Sequence, residues 1–267
     1  MTERGFMPLA GRCALVTGST GGLGHAIAKG LARAGCQIVL TGLEPAEDVE
    51  PRRAALEQEH ETAALYVQAD LAQADGVRTL VAAAQQRFGG VDVLVNNAVV
   101  RHFSPIETFP TERWNQALAV NISAAFHAIR LLLPGMRARG WGRIINMTSV
   151  YGARGTANRI DYVTSKAALL GMTRAVAAEC AGSAVTCNAV CPGAVSTPGT
   201  EMRVERLMHD FGLSREEAVS RFLQGKQPSG RFIAADSVVA TIVFLCGPAG
   251  DDITGAQLPV EGGWLAG

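Results

Sequence analysis

Short apolar runs rich in β-branched residues alternate along the chain with longer stretches of helical period. The runs cover 13–17, 37–41, 64–68, 91–95, 143–147, 184–190 and 257–260, which predicts seven strands. Between them apolar positions follow the helical repeat: Trp114, Leu118, Ile122, Phe126, Ile129 and Leu133 predict one face of a helix starting near Thr111. Strand, helix and strand repeated throughout imply a parallel sheet covered on both faces, so the expected class is α/β, doubly wound, in one domain spanning 1–267. In such a sheet ligands bind beyond the carboxyl ends of the strands. Residues just after each run are therefore the first candidates for function.

The rhythm lapses at 192–232. There Ser214 and Glu217 form a capping-box pattern that opens a short helix, and 225–230 reads as loop. A helical insertion here would act as a lid over the site; the plainer reading is a surface excursion with no role.

Composition narrows the function. Of 267 residues 48% are hydrophobic and 18% charged, with 24 basic against 24 acidic residues. No basic stripe is present to bind nucleic acid or an acidic membrane. The apolar stretch 117–136 is interrupted by Asn121, Ser123, His127 and Arg130, so no membrane span is expected. The N-terminus carries Glu3 and Arg4 without an apolar core, which argues against a secretory leader and makes the cytoplasm the default. Six scattered cysteines read as reduced core thiols, and the five histidines lack helical ligand spacing, so no catalytic metal is expected.

Two local patterns carry chemistry. After the first run comes Thr17-Gly18-Ser19-Thr20-Gly21-Gly22-Leu23-Gly24, followed by an amphipathic helix. Glycines let a backbone approach a diphosphate, whose charge a helix N-terminus favours. The spacing differs from G-x-G-x-x-G, so a simple tight turn remains the alternative. Second, Tyr162 and Lys166 stand four apart and share a helix face. An ammonium beside a phenol eases proton transfer to and from an alcohol. With three tyrosines and three lysines in the whole chain, such a pair is not expected by chance, although a surface pair is possible. Ser149, just past the fifth run, is placed to bind a substrate oxygen.

With these residues in place, the chain resembles the short-chain dehydrogenase/reductase family over essentially its whole length. T-G-x-x-x-G-x-G at 17–24, Asn96-Asn97-Ala98, Asn121, Ser149, Tyr162, Lys166 and Pro192-Gly193 occur in family order and spacing. The resemblance implies a single Rossmann-type domain with a helical substrate lid at 192–232, and a homotetramer. It makes Tyr162 the general acid/base, Ser149 the group that polarises the substrate oxygen, and Lys166 the group that lowers the tyrosine pKa and holds the nicotinamide ribose. Asn121 would anchor a proton-relay water. It assigns cofactor contacts to Gly18, Thr20, Gly22, Leu23, Gly24, Leu43, Asp70, Leu71, Asn97, Tyr162, Lys166, Pro192, Gly193, Val195 and Thr197. Asp70 would lie near the adenine and Thr197 near the carboxamide.

The likeness extends to bacterial 3-hydroxybutyrate dehydrogenases through 133–139, 142–146, 185–189, 226–229 and 262–265. Where those enzymes hold a carboxylate with Gln, His, Lys and Gln, this chain has Arg101, Tyr151, Arg159 and Arg203. With Ser149, these are the candidate substrate residues. Val99 replaces the glycine of Asn-Asn-Ala-Gly and would be strained if the backbone there needed positive φ.

The expected cofactor is NAD. No basic residue lies within 17–24 to take a 2′-phosphate, and Leu43 and Glu44 follow the second run, with Gly42 where many NAD-dependent relatives carry Asp. The expected substrate is a small anionic hydroxy acid, like 3-hydroxybutyrate but more strongly anionic or larger, because guanidinium forks match carboxylate and sulfonate oxygens. Alternatively, Arg101 or Arg203 points into solvent or pairs with Glu107, Glu201 or Glu205. The competing functions are a polyol or sugar dehydrogenase, a 3-oxoacyl reductase and, less in keeping with Ser149, Tyr162, Lys166 and Asn121, a silent dinucleotide-binding regulator.

Overall fold

Strands β1 (Cys13–Val16), β2 (Gln37–Gly42), β3 (Ala64–Gln68), β4 (Val93–Asn96), β5 (Gly142–Met147), β6 (Val185–Pro192) and β7 (Gln257–Val260) form one sheet in the order β3-β2-β1-β4-β5-β6-β7. Every pairing is parallel. The structure, a computed structural model, describes residues 7–266. Glu3 and Arg4, on which the leader argument rests, lie outside the described residues. Each observed strand starts and ends within two residues of an expected run.

The runs were legible because the central strands are buried on both faces, which makes them continuously apolar. In β1, Ala14 and Val16 face one core with Ile27 and Leu31 of α1 (Gly22–Arg33) and Val238, Val239 and Ile242 of α9 (Ala235–Cys246). Cys13 and Leu15 face the other, with Leu80 and Val81 of α3 (Ala74–Phe88), Leu132 and Met136 of α5 (Ala124–Ala138) and Ala177 of α6 (Ile160–Glu179). All six cysteines are buried and unpaired. Helix α2 (Ala46–His60) covers the β2–β3 edge. The strand order reverses between β1 and β4, which opens a crevice at their carboxyl ends.

The helix expected from Thr111 is broken in a way that the 3.6 period does not show. Helix α4 (Thr111–Leu118) passes into α5 through a π turn at Ala119–Ser123. The wider turn inserts extra backbone and rotates the face that follows. Ile129 and Leu133 still face the core, but Phe126 is 50% exposed, and Ala124, Ala125, Ala128 and Leu132 take the buried side. By length and composition alone Thr111–Ala138 would suffice to cross a membrane, contrary to the sequence reading. In the fold its apolar side is part of the sheet's core.

The segment after β6 holds two helices, α7 (Pro198–Phe211) and α8 (Arg215–Leu223). Ser214 and Glu217 make the expected capping box in full. Helix α7, absent from the expectation, starts at Pro198 behind an N-cap Thr197 whose side chain accepts from the Thr200 N–H.

Candidate active site

A cleft of about 900 Å³ runs along the carboxyl ends of the strands. Every residue that the sequence assigned to cofactor or substrate lines it, while Asn121 does not.

At one end lies the glycine loop. Gly18 has φ +62°, and a Cβ there would stand 2.9 Å from Ala98 Cα; a Cβ on Gly24 would run into the Gly18 carbonyl. The N-cap Gly21 brings no side chain to the first N–H groups of α1, which leaves them for an anion. Thr17 Oγ1 accepts the N–H groups of Asn97 and Ala98, both at 2.9 Å. Asn97 Nδ2 donates to the carbonyls of Thr17 and Gly18 at 2.9 and 3.0 Å. Asn97, which lines the cleft, therefore also braces the loop with its side-chain amide.

At the end of β2, Glu44 folds back so that Thr20 Oγ1 donates to its carboxylate at 2.8 Å. A side chain at Gly42 would collide with that carboxylate and with Thr20. The missing acidic residue at 42 is thus replaced in space by Glu44. Partial desolvation raises the Glu44 pKa, but hydrogen bonds from its own backbone, from Thr20 and from the backbone of Leu43 outweigh it and hold the carboxyl below its usual range. Leu43 is 67% exposed at the rim. Asp70 and Leu71 line the same end after β3, and Asp70 Oδ1 accepts the Ala72 N–H at 2.9 Å.

The reacting groups gather where β5 meets α6. Ser149 Oγ accepts the Tyr151 N–H at 3.3 Å, so its own O–H is free to donate into the cleft. Lys166 Nζ lies 5.5 Å from the Tyr162 ring centroid. Burial, and then the Arg101 guanidinium, push the Lys166 ammonium down to about 7.

Asn121, 2% exposed, sits in the π turn. Its Oδ1 accepts the Val100 N–H at 2.9 Å, and its Nδ2 donates to the Val100 carbonyl at 3.0 Å and to Ser165 Oγ at 3.2 Å. The side-chain amide thus fastens the loop after β4 to α6. Val99 lines the cleft without strain, since among the described residues the only non-glycine positions with positive φ are Glu61 and Asn158.

Beside Tyr162 stands a group of cations. The left-handed Asn158 (φ 62°) turns the chain into α6, and Arg159 occupies the N-cap. Its guanidinium lies 4.5 Å from the Tyr162 centroid, 4.6 Å from Phe103 and 5.4 Å from Tyr151, while Nε and Nη2 are buried without partners. Burial pulls its pKa down, opposed by Tyr162 and Tyr151 and reinforced by Arg101 and Arg203. Arg101 stands 5.8 Å from Tyr162, and Arg203, from α7, 5.6 Å from Phe103. The alternative partners do not hold these arginines: Glu201 pairs with Arg215 at 2.7 Å, and no ion pair among the described residues involves Arg101, Arg159 or Arg203.

Sequence reasoning missed four contributors. The buried Asp161 accepts the His102 N–H at 3.0 Å and the Tyr162 N–H at 2.7 Å, which ties the Arg101 loop to the start of α6. An acidic residue in a first helical turn was the available signal. Phe103, Lys226 and Trp264 also line the cleft, and Trp264 packs edge-on to Tyr151 at 5.3 Å. Nothing local marks these three, because they arrive from a loop, the segment after α8 and the C-terminal turn.

The profile of the short chain dehydrogenase family matches residues 12–207. The D-beta-hydroxybutyrate dehydrogenase of Cupriavidus necator is 41% identical over 258 residues, covering 97% of this chain and 99% of the relative. The 2-dehydro-3-deoxy-D-gluconate 5-dehydrogenase of Escherichia coli is 34% identical over 261 residues, 97% of each chain. Among solved structures, L-sorbose reductase from Gluconobacter frateurii, complexed with NADPH and L-sorbose, matches with a TM-score of 0.93 at 30% identity, covering 98% of this chain and 99% of that one.

Proposed function

Since the chain belongs to the short chain dehydrogenase family, we propose that it is an NAD-dependent oxidoreductase interconverting the alcohol and ketone of a small anionic hydroxy acid, like 3-hydroxybutyrate but more strongly anionic or larger. One observation carries the substrate: Arg101, Arg159 and Arg203 converge on the Tyr162 side of the cleft, and no carboxylate among the described residues pairs with them. The carboxylates that line the cleft, Glu44 and Asp70, are both at its other end.

The residues fit a nicotinamide dinucleotide. The glycine cradle and the uncapped N-terminus of α1 suit a diphosphate, and Glu44, beside Thr20, suits ribose hydroxyls while opposing a 2′-phosphate. A nicotinamide held there would supply the hydride acceptor or donor for the carbinol carbon. In oxidation Tyr162, as phenolate, accepts the hydroxyl proton; in reduction its O–H gives the proton back. Ser149 donates its O–H to the substrate oxygen and holds it beside Tyr162. The Lys166 ammonium, 5.5 Å from the Tyr162 ring centroid, favours negative charge on the phenol oxygen. Helices α7 and α8 form a lid that excludes water.

A screen of hydroxy acids, hydroxysulfonates and polyols, reading absorbance of the reduced cofactor, tests this; preference for a neutral polyol would sink it. The likeness to L-sorbose reductase favours that second reading, a polyol or sugar dehydrogenase. We place the protein in the cytoplasm as a homotetramer. Phe126 and Phe244 stay exposed as apolar contact points, and light scattering after gel filtration tests the assembly.

A further inference from the structure

The cations of the cleft belong to two bodies. Arg159, at the N-cap of α6, and Arg101, after β4, stand on the frame of the domain. Arg203 is on α7, and a fourth cation, Lys226, follows α8. The guanidinium groups of Arg159 and Arg203 share the Phe103 ring, at 4.6 and 5.6 Å from its centroid. Lys226 lines the same cleft half-buried, with Nζ donating to the Phe222 carbonyl at 2.7 Å and lying 4.4 Å from the Phe222 ring centroid. Burial lowers its pKa, and so do the charges of Arg203 and Arg159, which line the same cleft. No ion pair among the described residues includes it.

A monoanion held by the frame pair leaves the lid pair facing it without compensation. Like charges then oppose closure, whereas a second negative group on the substrate would draw the lid down. We propose that the substrate is a dianion: its first anionic group is held by Arg159 and Arg101, and its second by Arg203 together with Lys226. This assignment rests on the anionic-substrate reading above.

The test is calorimetric titration of the NAD-saturated protein at fixed low ionic strength with acetate, malonate and succinate, alongside turnover of 3-hydroxybutyrate, hydroxydicarboxylates and a neutral polyol. Malonate or succinate should bind about ten-fold or more tighter than acetate, as a further charge-assisted contact implies. Lys226→Met should remove about ten-fold of the dianion affinity and change acetate by less than about two-fold, Lys226→Arg should restore the dianion, and Arg159→Met should weaken both classes. Dianions no tighter than acetate, or Lys226→Met acting on all anions alike or on none, overturn the two-group assignment and leave the anionic reading standing. If no anion binds and the polyol is turned over, the anionic reading itself falls.

Discussion

Lys166 donates from Nζ to the carbonyl oxygen of Met147 at 2.6 Å, so the fully buried ammonium of α6 is anchored to the end of β5, two residues before Ser149. One hydrogen bond thus links the helix that carries Tyr162 to the strand that delivers Ser149. It also holds a charge where burial opposes it, and this has a measurable consequence.

An ammonium pushed from its ordinary 10.5 to about 7 binds its proton less tightly in the folded protein than in the unfolded chain. The resulting stability cost is complete below about pH 7, shrinks as the pH rises towards 10.5 and is gone above it. In urea unfolding without cofactor, wild type should gain on Lys166→Met between those limits. A constant difference would show that the buried amine keeps its ordinary affinity for the proton.

Tyr162→Phe keeps the ring against Arg159 and Tyr151 and removes only the hydroxyl. Turnover should fall by roughly 10²- to 10⁴-fold while NAD affinity, read by calorimetry, is retained. Near-normal turnover would take the proton-transfer role away from Tyr162.

Glu44, held by Thr20, stands where a 2′-phosphate would lie under the proposed reading. Wild type should prefer NAD, and Glu44→Gln, which keeps the size and loses the charge, should raise kcat/KM for NADP about ten-fold by removing a like-charge clash and lower it for NAD, whose ribose hydroxyls lose a charged acceptor. Equal kcat/KM for both cofactors in wild type would refute the preference.

Arg101→Gln and Arg203→Gln each remove a guanidinium from the cleft. Each should lower kcat/KM for a hydroxydicarboxylate or hydroxysulfonate by about ten-fold or more, since a charge-assisted hydrogen bond contributes about 1.5 to 3 kcal/mol. If the enzyme prefers 3-hydroxybutyrate and neither substitution changes that preference, these arginines do not hold the substrate.

Asn121→Ala leaves the Val100 N–H and carbonyl without their partner. We expect a loss of about 1 to 3 kcal/mol in chemical denaturation, from a partly buried polar group left unsatisfied, together with reduced turnover as the Arg101 loop loosens. Full stability would mean that the loop is held by other contacts.

Much of this protein is written locally in its sequence. Strands buried on both faces must be apolar without interruption, so the runs around Leu15, Leu94 and Ile145 announce themselves. The glycine loop and the Tyr162–Lys166 pair are equally legible, because a tight turn and a shared helix face depend on neighbours only a few residues away. The rotation of Phe126 to the surface was not legible: a π turn adds backbone without altering the apolar period on either side of it. Glu44 taking the place of a residue absent at Gly42, the saturated amide of Asn121, and Lys226 joining Arg101, Arg159 and Arg203 were likewise hidden. Each depends on segments far apart in the chain being brought together by packing of helices and loops around the sheet. Consecutive residues encode period and turn, whereas the direction in which a side chain finally points is set by the long-range contacts that close the fold.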